Sequence, residues 1–284
     1  MALRILDLFS GIGGFSHGLE RAGGFETAAF CEIDPFARRV LAKHWPEVRC
    51  YEDVRELSAA RLAADGIGPI DVITGGFPCQ DLSEAGQRRG IEAERSGLWG
   101  QIARLASELR PQYVIVENVS NLLAGPSDRP GAWFGKLLGD LAEIGYDAEW
   151  HSIPAAVVGS PTPRDRVWII ADRPQVGRNW SGGYHIAEHV IYDNSQWPSE
   201  ARRSWRDLVA WLESPSAAHL WETPDGTPSR VVDGILRGLD SPAVGACGNS
   251  IVPQIAEAIG RAILASRNAA ANDNAPAIAT KDAA

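Results

Sequence analysis

The stretch "RILDLFSGIGGFSHGLERAG", residues 4–23, decides the fold. It passes from a short apolar run through a glycine-rich turn into a helical pattern, as a strand followed by a helix does. The scheme repeats in "TAAFCEID" (27–34) and "PFARRVLAKHW", where Pro35 takes a favourable first helical position. Strands that alternate with helices indicate a parallel sheet with right-handed crossovers. We therefore predict an α/β protein with a Rossmann-like, doubly wound, mostly parallel sheet.

The same rhythm continues along the first 172 residues and then stops. Further strands are predicted at "DVITGG" (71–76), "YVIVENV" (113–119) and "RVWIIAD" (166–172), with a helix at "WFGKLLGDLAEIGY". Five of the ten tryptophans then fall between Trp180 and Trp221, in a stretch without this alternation. The regular pattern returns at "GNSIVPQIAEAIGRAIL" (248–264), a turn followed by an amphipathic helix.

This change of texture predicts the domain organisation. Residues 1–172 and 240–265 are expected to form the main domain, and residues 173–239 a small inserted domain. The polar, alanine-rich tail 266–284 is expected to be disordered.

Composition limits the class of protein. A chain of 284 residues with 45% hydrophobic residues suits one large domain with an insert. It contains no run of about 18 apolar residues, and its N-terminus lacks the apolar core of a signal peptide. We therefore expect a cytoplasmic, nucleoid-associated protein that does not enter a membrane.

Cysteine and histidine spacing gives no sign of a metal. The four cysteines form no CxxC pair, so neither a zinc site nor a disulfide framework is predicted. His185 and His189 lie four apart in "HIAEH", but two histidines without further ligands seldom bind zinc. We expect no metal.

The formal net charge of -9 argues against a nucleic-acid partner, although net charge does not exclude a local basic cleft. Arginines are grouped at 88–95, 164–166 and 202–206. Each group is either a solvated face or a set of phosphate contacts, and the sequence pattern leaves both open.

One cysteine stands out by position. In "GGFPCQDLS" (75–83), Cys79 comes directly after a predicted buried strand, where open α/β sheets hold their reactive groups. A free cysteine is also a common small hydrophobic residue of a core. Position alone leaves both interpretations open.

The glycine turn favours a nucleotide-like ligand other than a dinucleotide. Gly11, Gly13 and Gly14 do not have the GxGxxG spacing, so an NAD-dependent oxidoreductase loses its main support. The helix N-terminus beyond the turn favours an anion, which a carboxylate supplies as well as a phosphate. Glu32 follows about 20 residues later, where an acid commonly binds a ribose. A ligand with a carboxylate, a ribose and a base fits S-adenosylmethionine.

Taken together, "DLFSGIGGF", "CEID", "GGFPCQDLS", "ENVSNLL", "PRDRVWIIA" and "GNSIVPQIAEAI" resemble the cytosine-5 DNA methyltransferase family, in that family's order. The resemblance covers nearly the whole chain except residues 173–228 and the tail. It implies the S-adenosylmethionine-dependent methyltransferase fold, of the bacterial or phage type, with a short target-recognition region in the insert.

The resemblance also implies the roles of the catalytic residues. Cys79 would add its thiolate to carbon 6 of cytosine, and Glu117, with a pKa raised by burial, would contact N3 and the exocyclic amine. Arg166 would hold the cytosine O2. The family usually has a glutamine where this chain has Thr162, which leaves the contact made by that glutamine without a counterpart. The implied catalytic residues are Pro78, Cys79, Glu117, Asn118, Arg164 and Arg166.

For the cofactor, the resemblance implies a pocket lined by the glycine turn. Glu32 would bind the ribose hydroxyls, Ile33 would pack on the adenine, and Asp53 would accept from its amino group. The segment "GNSIVPQ" would return beside the first strand and complete the pocket. The implied cofactor-binding residues are Phe9, Gly11, Gly13, Gly14, Glu32, Ile33, Asp53, Val54, Asn249 and Ser250.

Double-stranded DNA is the implied substrate, from which the cytosine must be flipped out. The polar loop at residues 80–99 would suit a lid that closes on DNA. We expect a monomer, with any cognate restriction endonuclease acting separately. The candidate DNA-binding residues are Gln80, Ser83, Arg88, Arg89, Arg95, Arg202, Arg203 and Arg206.

Other functions compete with this one. A tRNA cytosine-5 methyltransferase shares the chemistry, although that branch usually has a second proline where this chain has Phe77. A catalytically silent DNA-binding homologue would be expected to have lost Cys79, Glu117 or an arginine, and all of these are present. The residues therefore favour DNA cytosine-5 methylation.

Overall fold

The computed structural model describes residues 1–77, 97–125, 129–158, 164–173 and 250–273. Within these ranges the strands form one sheet. Their bounds are β1 Leu3–Leu8, β2 Phe25–Cys31, β3 Arg49–Tyr51, β4 Val72–Gly75, β5 Tyr113–Val119, β6 Asp147–Pro154 and β7 Asp165–Asp172. The spatial order is β3-β2-β1-β4-β5-β7-β6, so the first strand in the chain lies at the centre.

Helices cover both faces of this sheet. Their bounds are α1 Gly14–Ala22, α2 Pro35–His44, α3 Ala59–Ala64, α4 Leu98–Leu109, α5 Asn121–Ala124, α6 Ala132–Glu143 and α7 Pro253–Asp273. One apolar core lies against α4 and α6, and a second lies on the other face against α1 and α7. The predicted doubly wound α/β class is confirmed. Among the described residues, no helix is both long and apolar enough to cross a membrane.

Strand direction divides the sheet into two parts. The strands β3, β2, β1, β4 and β5 pair in parallel, as predicted, whereas β7 runs antiparallel to both β5 and β6. The connection from Pro154 to Asp165 is too short for the helical crossover that a parallel pair requires. The sequence patterns did not predict β6. It is an edge strand whose residues are mostly half-buried or exposed, so it lacks a continuous apolar run.

The second helix begins as its sequence predicts. Pro35 occupies the first turn, where its missing N–H is not needed. The Asp34 carboxylate precedes it and accepts hydrogen bonds from the amides of Phe36 and Ala37, each at 2.8 Å. This cap fixes where the chain leaves β2.

The last helix lies against the first in close contact. A side chain at Gly18 of α1 would place its Cβ 2.2 Å from the Pro253 carbonyl oxygen. At Gly260 of α7 the corresponding Cβ would lie 2.8 Å from the Ala22 Cβ. Glycine at these two positions therefore lets the two backbones approach, and residues more than two hundred positions apart share one core.

The end of the chain corrects one expectation. The helix α7 continues to Asp273, so residues 266–273 are helical rather than part of a disordered tail. Alanine has the highest helix propensity, and the run of alanines after Asn268 continues the helix that begins at Pro253. Residues 274–284 and the predicted insert from 174 to 239 lie outside the described residues.

We predict that Gly18→Ala lowers the free energy of unfolding by about 1–3 kcal/mol, because the added methyl group forces α1 and α7 apart. The matched control is Gly135→Ala, an exposed position inside α6 with no atom within 4 Å of an added Cβ. That change should raise stability by about 0.5–1 kcal/mol. Urea denaturation followed by circular dichroism measures both, and equal effects would contradict the close packing.

Candidate active site

The central strands end at one edge of the sheet, where the chain order reverses. The strand β1 lies between β2 and β4, so this edge is the switch point at which open α/β sheets bind ligands. The glycine turn follows β1, Phe77 follows β4, and Glu117 lies near the end of β5. Topology therefore brings the predicted cofactor and catalytic residues to the same edge.

The glycine turn has a left-handed backbone at several positions. Phe9 has a φ of 52°, which is uncommon for a residue with a side chain, and Gly13 has a φ of 88°. A Cβ at Gly13 would also lie 2.7 Å from the ring of Trp45. Both the conformation and the neighbouring ring therefore require glycine there. At Gly11 an added Cβ would meet no atom of the described residues within 4 Å, so this part of the turn leaves room for a ligand.

A buried carboxyl group beneath the turn was not predicted. Asp7 of β1 is fully buried and accepts a 2.8 Å hydrogen bond from the Ser16 hydroxyl in α1. Its other oxygen accepts from the Thr74 hydroxyl in β4, also at 2.8 Å. The helix has no side-chain cap of its own, and the Asp7 carboxylate also accepts from the Ser16 amide in its first turn. Asp7 thus ties the turn to two strands of the sheet.

Burial raises the pKa of Asp7 to about 7, although the hydrogen bonds from Ser16 and Thr74 lower it. The sequence did carry a signal for this residue. Asp7 interrupts an apolar strand directly before a glycine turn, and a polar residue at such a place has to find hydrogen-bond partners.

The Glu32 carboxylate binds the backbone of the glycine turn. One carboxylate oxygen accepts the Gly11 amide at 2.7 Å, and the other accepts the Asp34 amide at 2.8 Å. Ile33, the next residue, is 64% exposed, which is unusual for a large apolar side chain. The structure therefore brings together three of the predicted cofactor positions, with an apolar surface beside a carboxylate.

Asp53 and Val54 lie beyond the end of the neighbouring strand β3. The Asp53 carboxylate is held by Arg55 through Nε at 2.9 Å and Nη2 at 2.6 Å. Hydrogen bonds from Arg55 lower the pKa of Asp53. The Val54 side chain is buried in the core, so it packs beneath this corner and does not line an open surface.

The returning C-terminal segment reaches the glycine turn. A Cβ at Gly14 would lie 2.7 Å from the Ile251 carbonyl oxygen, so the two backbones touch. Ser250 is buried, and its hydroxyl donates to that carbonyl at 3.1 Å. Of the predicted pair, Ser250 lies beside the turn, whereas Asn249 lies outside the described residues.

Two arginines face Glu117: Arg166 lies in β7, and Arg164 directly precedes that strand. The Arg166 Nε lies 3.1 Å from Glu117 Oε1, and the Arg164 Nη2 lies 3.9 Å from the same oxygen. Glu117 itself is only 7% exposed. The three charged residues predicted for the base-binding site therefore lie together.

Burial dominates the protonation of Glu117. It raises the pKa of the carboxyl group to about 7, while Arg166 and, less strongly, Arg164 act in the opposite direction. The prediction that burial raises this pKa is confirmed. At neutral pH the group is divided between its neutral and charged forms, which suits an acid that gives up a proton and regains it.

Asn118 holds the backbone that leads to the predicted nucleophile. Its Nδ2 donates to the Phe77 carbonyl oxygen at 3.1 Å, and its Oδ1 accepts from the Val119 amide at 2.9 Å. The side chain is therefore used to join the end of β5 to the segment that follows β4. The hydrogen bond from Asn118 therefore holds Phe77, which directly precedes Pro78 and Cys79 in the chain.

The other predicted site residues lie outside the described part of the chain. The departure at Thr162 and the two histidines of "HIAEH" also fall there. In the ranges that are described, no group of three or more His, Cys, Asp or Glu side chains is arranged to hold a metal. The predicted site residues outside the described ranges are Pro78, Cys79, Gln80, Ser83, Arg88, Arg89, Arg95, Arg202, Arg203, Arg206 and Asn249.

A model of the C-5 cytosine-specific DNA methylase family matches residues 3–223, which is more than half of the chain. The chain belongs to the C-5 cytosine-specific DNA methylase family. The matched range begins at β1 and includes the glycine turn, Cys79, Glu117 and both arginines. The predicted family is confirmed.

Relatives of this chain include Type II methyltransferases of bacteria. The chain is 35% identical over 173 residues to M2.BsuMI of Bacillus subtilis, covering 60% of this chain and 42% of that protein. It is 33% identical over 213 residues to M.Eco47II of Escherichia coli, covering 70% of this chain and 49% of that protein. The methylase chain thus spans less than half the length of either relative.

Solved structures share the fold. A chain described as a DNA modification methyltransferase of an Escherichia coli prophage superposes with a TM-score of 0.61 at 19% identity. It covers 94% of this chain and all of that one. The methyltransferase EhMeth of Entamoeba histolytica gives a TM-score of 0.58 at 14% identity, covering 94% and 99%. At these identities the similarity concerns the methyltransferase fold.

The buried Asp7 of this methylase predicts how stability depends on pH. The carboxyl pKa is 3.8 in the unfolded chain and about 7 in the folded one, so the folded state binds more protons between these values. The contribution of Asp7 to stability is complete below about pH 4 and is lost as the pH rises through about 7. We expect the free energy of unfolding to fall across this window, and Asp7→Asn to reduce that fall by a few kcal/mol.

Urea denaturation at several pH values between 4 and 8 measures this dependence. Asp65→Asn is the control, because hydrogen bonds from Tyr51 and Arg61 lower the pKa of Asp65. Its contribution to stability is therefore complete above about pH 4, is lost only as the pH falls further, and stays constant across the window tested. A pH dependence of Asp7→Asn equal to that of the wild type would refute the prediction.

Proposed function

We propose that this chain transfers a methyl group from S-adenosylmethionine to carbon 5 of a cytosine in double-stranded DNA. The observation that carries the proposal is the Glu117 carboxyl group, which is buried, faces two arginines and has a pKa near 7. It lies on the sheet edge where β4 leads toward Cys79. Family membership supports the same reaction.

The chemistry needs an activated ring, because carbon 5 of cytosine is a weak nucleophile. The Cys79 thiolate adds to carbon 6, and the ring becomes an enamine with an electron-rich carbon 5. Negative charge would otherwise build up at N3 and O2 during this addition. The neutral Glu117 carboxyl gives its proton to N3, and the Arg166 guanidinium donates to O2. Once carbon 5 carries the methyl group, a base removes the carbon 5 proton, the bond from sulfur to carbon 6 breaks, and the thiolate is regenerated.

The contact between Asn118 and Phe77 positions these groups relative to one another. The amide of Asn118 ties the end of β5 to the backbone two residues before Cys79. Glu117 directly precedes Asn118 in β5. This one hydrogen bond therefore helps to set the position of Glu117 relative to the segment that leads from β4 to Cys79. Covalent catalysis depends on such mutual placement of the reacting groups.

The residues at the glycine turn fit S-adenosylmethionine. The turn leaves room for a ligand at Gly11, and the exposed Ile33 offers an apolar surface for an adenine. The Glu32 carboxylate accepts one amide on each oxygen, which leaves further lone pairs for the ribose hydroxyls. When bound, the cofactor supplies an electrophilic methyl group. Beside these residues, the groups that would hold it are Phe9, Gly13, Gly14, Asp53, Asn249 and Ser250.

DNA would be bound at this edge of the sheet by the segments of the chain that follow β4 and β7. A target cytosine must leave the base stack at a cost of a few kcal/mol. Helix α4 begins at Leu98, so the proposed lid is shorter than the predicted 80–99 and ends before that helix. Residues 80–97 and the insert at 173–239 carry the arginines proposed to meet phosphates and the displaced strand. Because the relatives are named Type II methyltransferases, we propose a defined target sequence, a monomeric enzyme and a separate endonuclease if one exists.

We predict that wild-type protein incubated with tritiated S-adenosylmethionine labels unmethylated genomic DNA as 5-methylcytosine. Cys79→Ala should abolish the label, because no other group adds to carbon 6. The matched control is Cys50→Ala, which removes a half-buried thiol on β3 that has no part in the proposed reaction and should leave the rate within about twofold. Bisulfite sequencing of the product would give the target site.

A parallel reaction with tRNA separates the competing functions. Label in tRNA and none in DNA would move the substrate to RNA while keeping the mechanism. No transfer to either, with the cofactor bound, would refute methyl transfer and favour the DNA-binding homologue.

We predict that Glu117→Gln lowers kcat by about 10²–10⁴-fold, because the amide cannot give a proton to N3. In the wild type, activity should decline as the pH rises through about 7, where Glu117 loses its proton. This alkaline limb should be absent in the variant. The control Glu257→Gln alters another buried glutamate, paired with Arg21 and Arg261, and should keep the limb. Retention of the limb in Glu117→Gln would assign it to another group.

A further inference from the structure

A large aromatic residue stands directly across from Glu117. In the antiparallel pairing of β5 with β7, Glu117 is the partner of Trp168, and both side chains are on the same face of the sheet. Side chains at such opposed positions lie about 4.5–5.5 Å apart at Cβ. Trp168 is fully buried, and Glu117 almost so. The Trp168 and Glu117 side chains therefore leave the sheet next to each other.

The remaining neighbours of Glu117 define the rest of its surroundings. Gly76 lies on the β4 side, where a Cβ would be 3.6 Å from Glu117 Oε2 and 3.1 Å from the Ile251 side chain. On the described part of the chain, the charged groups that face the carboxyl are Arg164 and Arg166. The titratable His151 of β6 is the partner of Trp168 on the other side of β7. The carboxyl thus lies beside two cations, with Gly76 on one flank and Trp168 on the other.

The position of Trp168 is set by packing. Its ring meets that of Phe15 edge-on, with centroids 5.5 Å apart and planes at 75°. Its Nε1 has no hydrogen-bond partner among the described residues. The ring thus presents an apolar surface, and α1, which begins at the glycine turn, holds it through Phe15.

We propose that Trp168 is a positioning residue that acts through Glu117: its ring excludes water from the carboxyl group and thereby keeps there the proton that the cytosine ring requires. The proposal rests on the function proposed above. Strand β7 would then contribute two residues to the site, Arg166 and Trp168.

The opposing effects of burial and of the two arginines on the pKa of Glu117 support this role of Trp168. Two nearby guanidinium groups by themselves favour the charged carboxylate and lower its pKa. The pKa is nevertheless raised, with burial as its largest cause. Trp168 is among the largest of the fully buried side chains and stands opposite Glu117. Without its ring, water would reach the carboxyl group, and the arginines would then favour the ionised form.

The test compares kcat/KM between pH 5.5 and 8.5 for Trp168→Ala and Trp168→Phe. Each unit by which the Glu117 pKa falls lowers its protonated fraction at high pH about tenfold. Trp168→Ala should therefore lose at least about tenfold at pH 8 and recover relative to the wild type as the pH falls. Trp168→Phe loses the N–H and part of the ring volume but keeps an apolar aromatic ring opposite Glu117, so its profile should follow the wild type far more closely than that of Trp168→Ala.

Trp133→Ala is the matched control. Trp133 is a buried tryptophan of α6 that packs over Gly125, in the core on the other face of the sheet. Its loss should reduce stability and leave the pH profile unchanged. A purely structural role of Trp168 would give the same result for both alanine variants, and that result would overturn the proposal.

A second measurement needs neither activity nor a folded alanine variant. In wild-type protein labelled with 5-fluorotryptophan, the ¹⁹F resonance that is missing from Trp168→Phe belongs to Trp168. It should shift with pH around a midpoint near 7, and the shift should be absent in Glu117→Gln. A Trp168 resonance that does not respond to Glu117 would overturn the proposal even if the wild type methylates DNA. A wild type that methylates nothing would instead refute the proposed function.

Discussion

The Asp7 carboxyl group is the contact on which the arrangement of the site depends. It joins the central strand to the first turn of α1 through Ser16 and to β4 through Thr74. The glycine turn lies between β1 and α1, and β4 leads toward Cys79. One buried carboxyl group therefore fixes the relative positions of the cofactor turn and the strand that carries the nucleophile. Hydroxyl and amide donors satisfy it without a cation.

Two buried acids serve different ends in this protein. Burial raises the pKa of both Asp7 and Glu117 to about 7. Asp7 is surrounded by neutral donors and lies inside the fold, so its proton matters for stability. Glu117 lies at the sheet edge and faces Arg164 and Arg166, so its proton is available to a base. The same desolvation thus acts on a structural group in one place and on the proposed catalytic acid in the other.

The C-terminal helix closes the cofactor side of the molecule. It lies along α1 because Gly18 and Gly260 allow the backbones to touch, and Ile251 meets Gly14 at the turn itself. The turn is therefore supported on one side by Trp45 and on the other by a segment from the far end of the chain. The conformation of the turn depends on this tertiary contact, because a small unit of one strand and one helix alone does not bury enough apolar surface to be stable.

The sequence by itself determined the parallel strands, the glycine turn and the charged residues proposed to act on the base. Apolar runs and turn residues are local signals, and β5 was predicted residue for residue at 113–119. The edge strand β6 lacks an apolar run and was missed. Only the tertiary structure decided that β7 runs antiparallel, which sets Trp168 opposite Glu117 and brings Arg166 to its carboxylate. Strand pairing joins distant segments, and neither its direction nor its register is written in the periodicity of either strand.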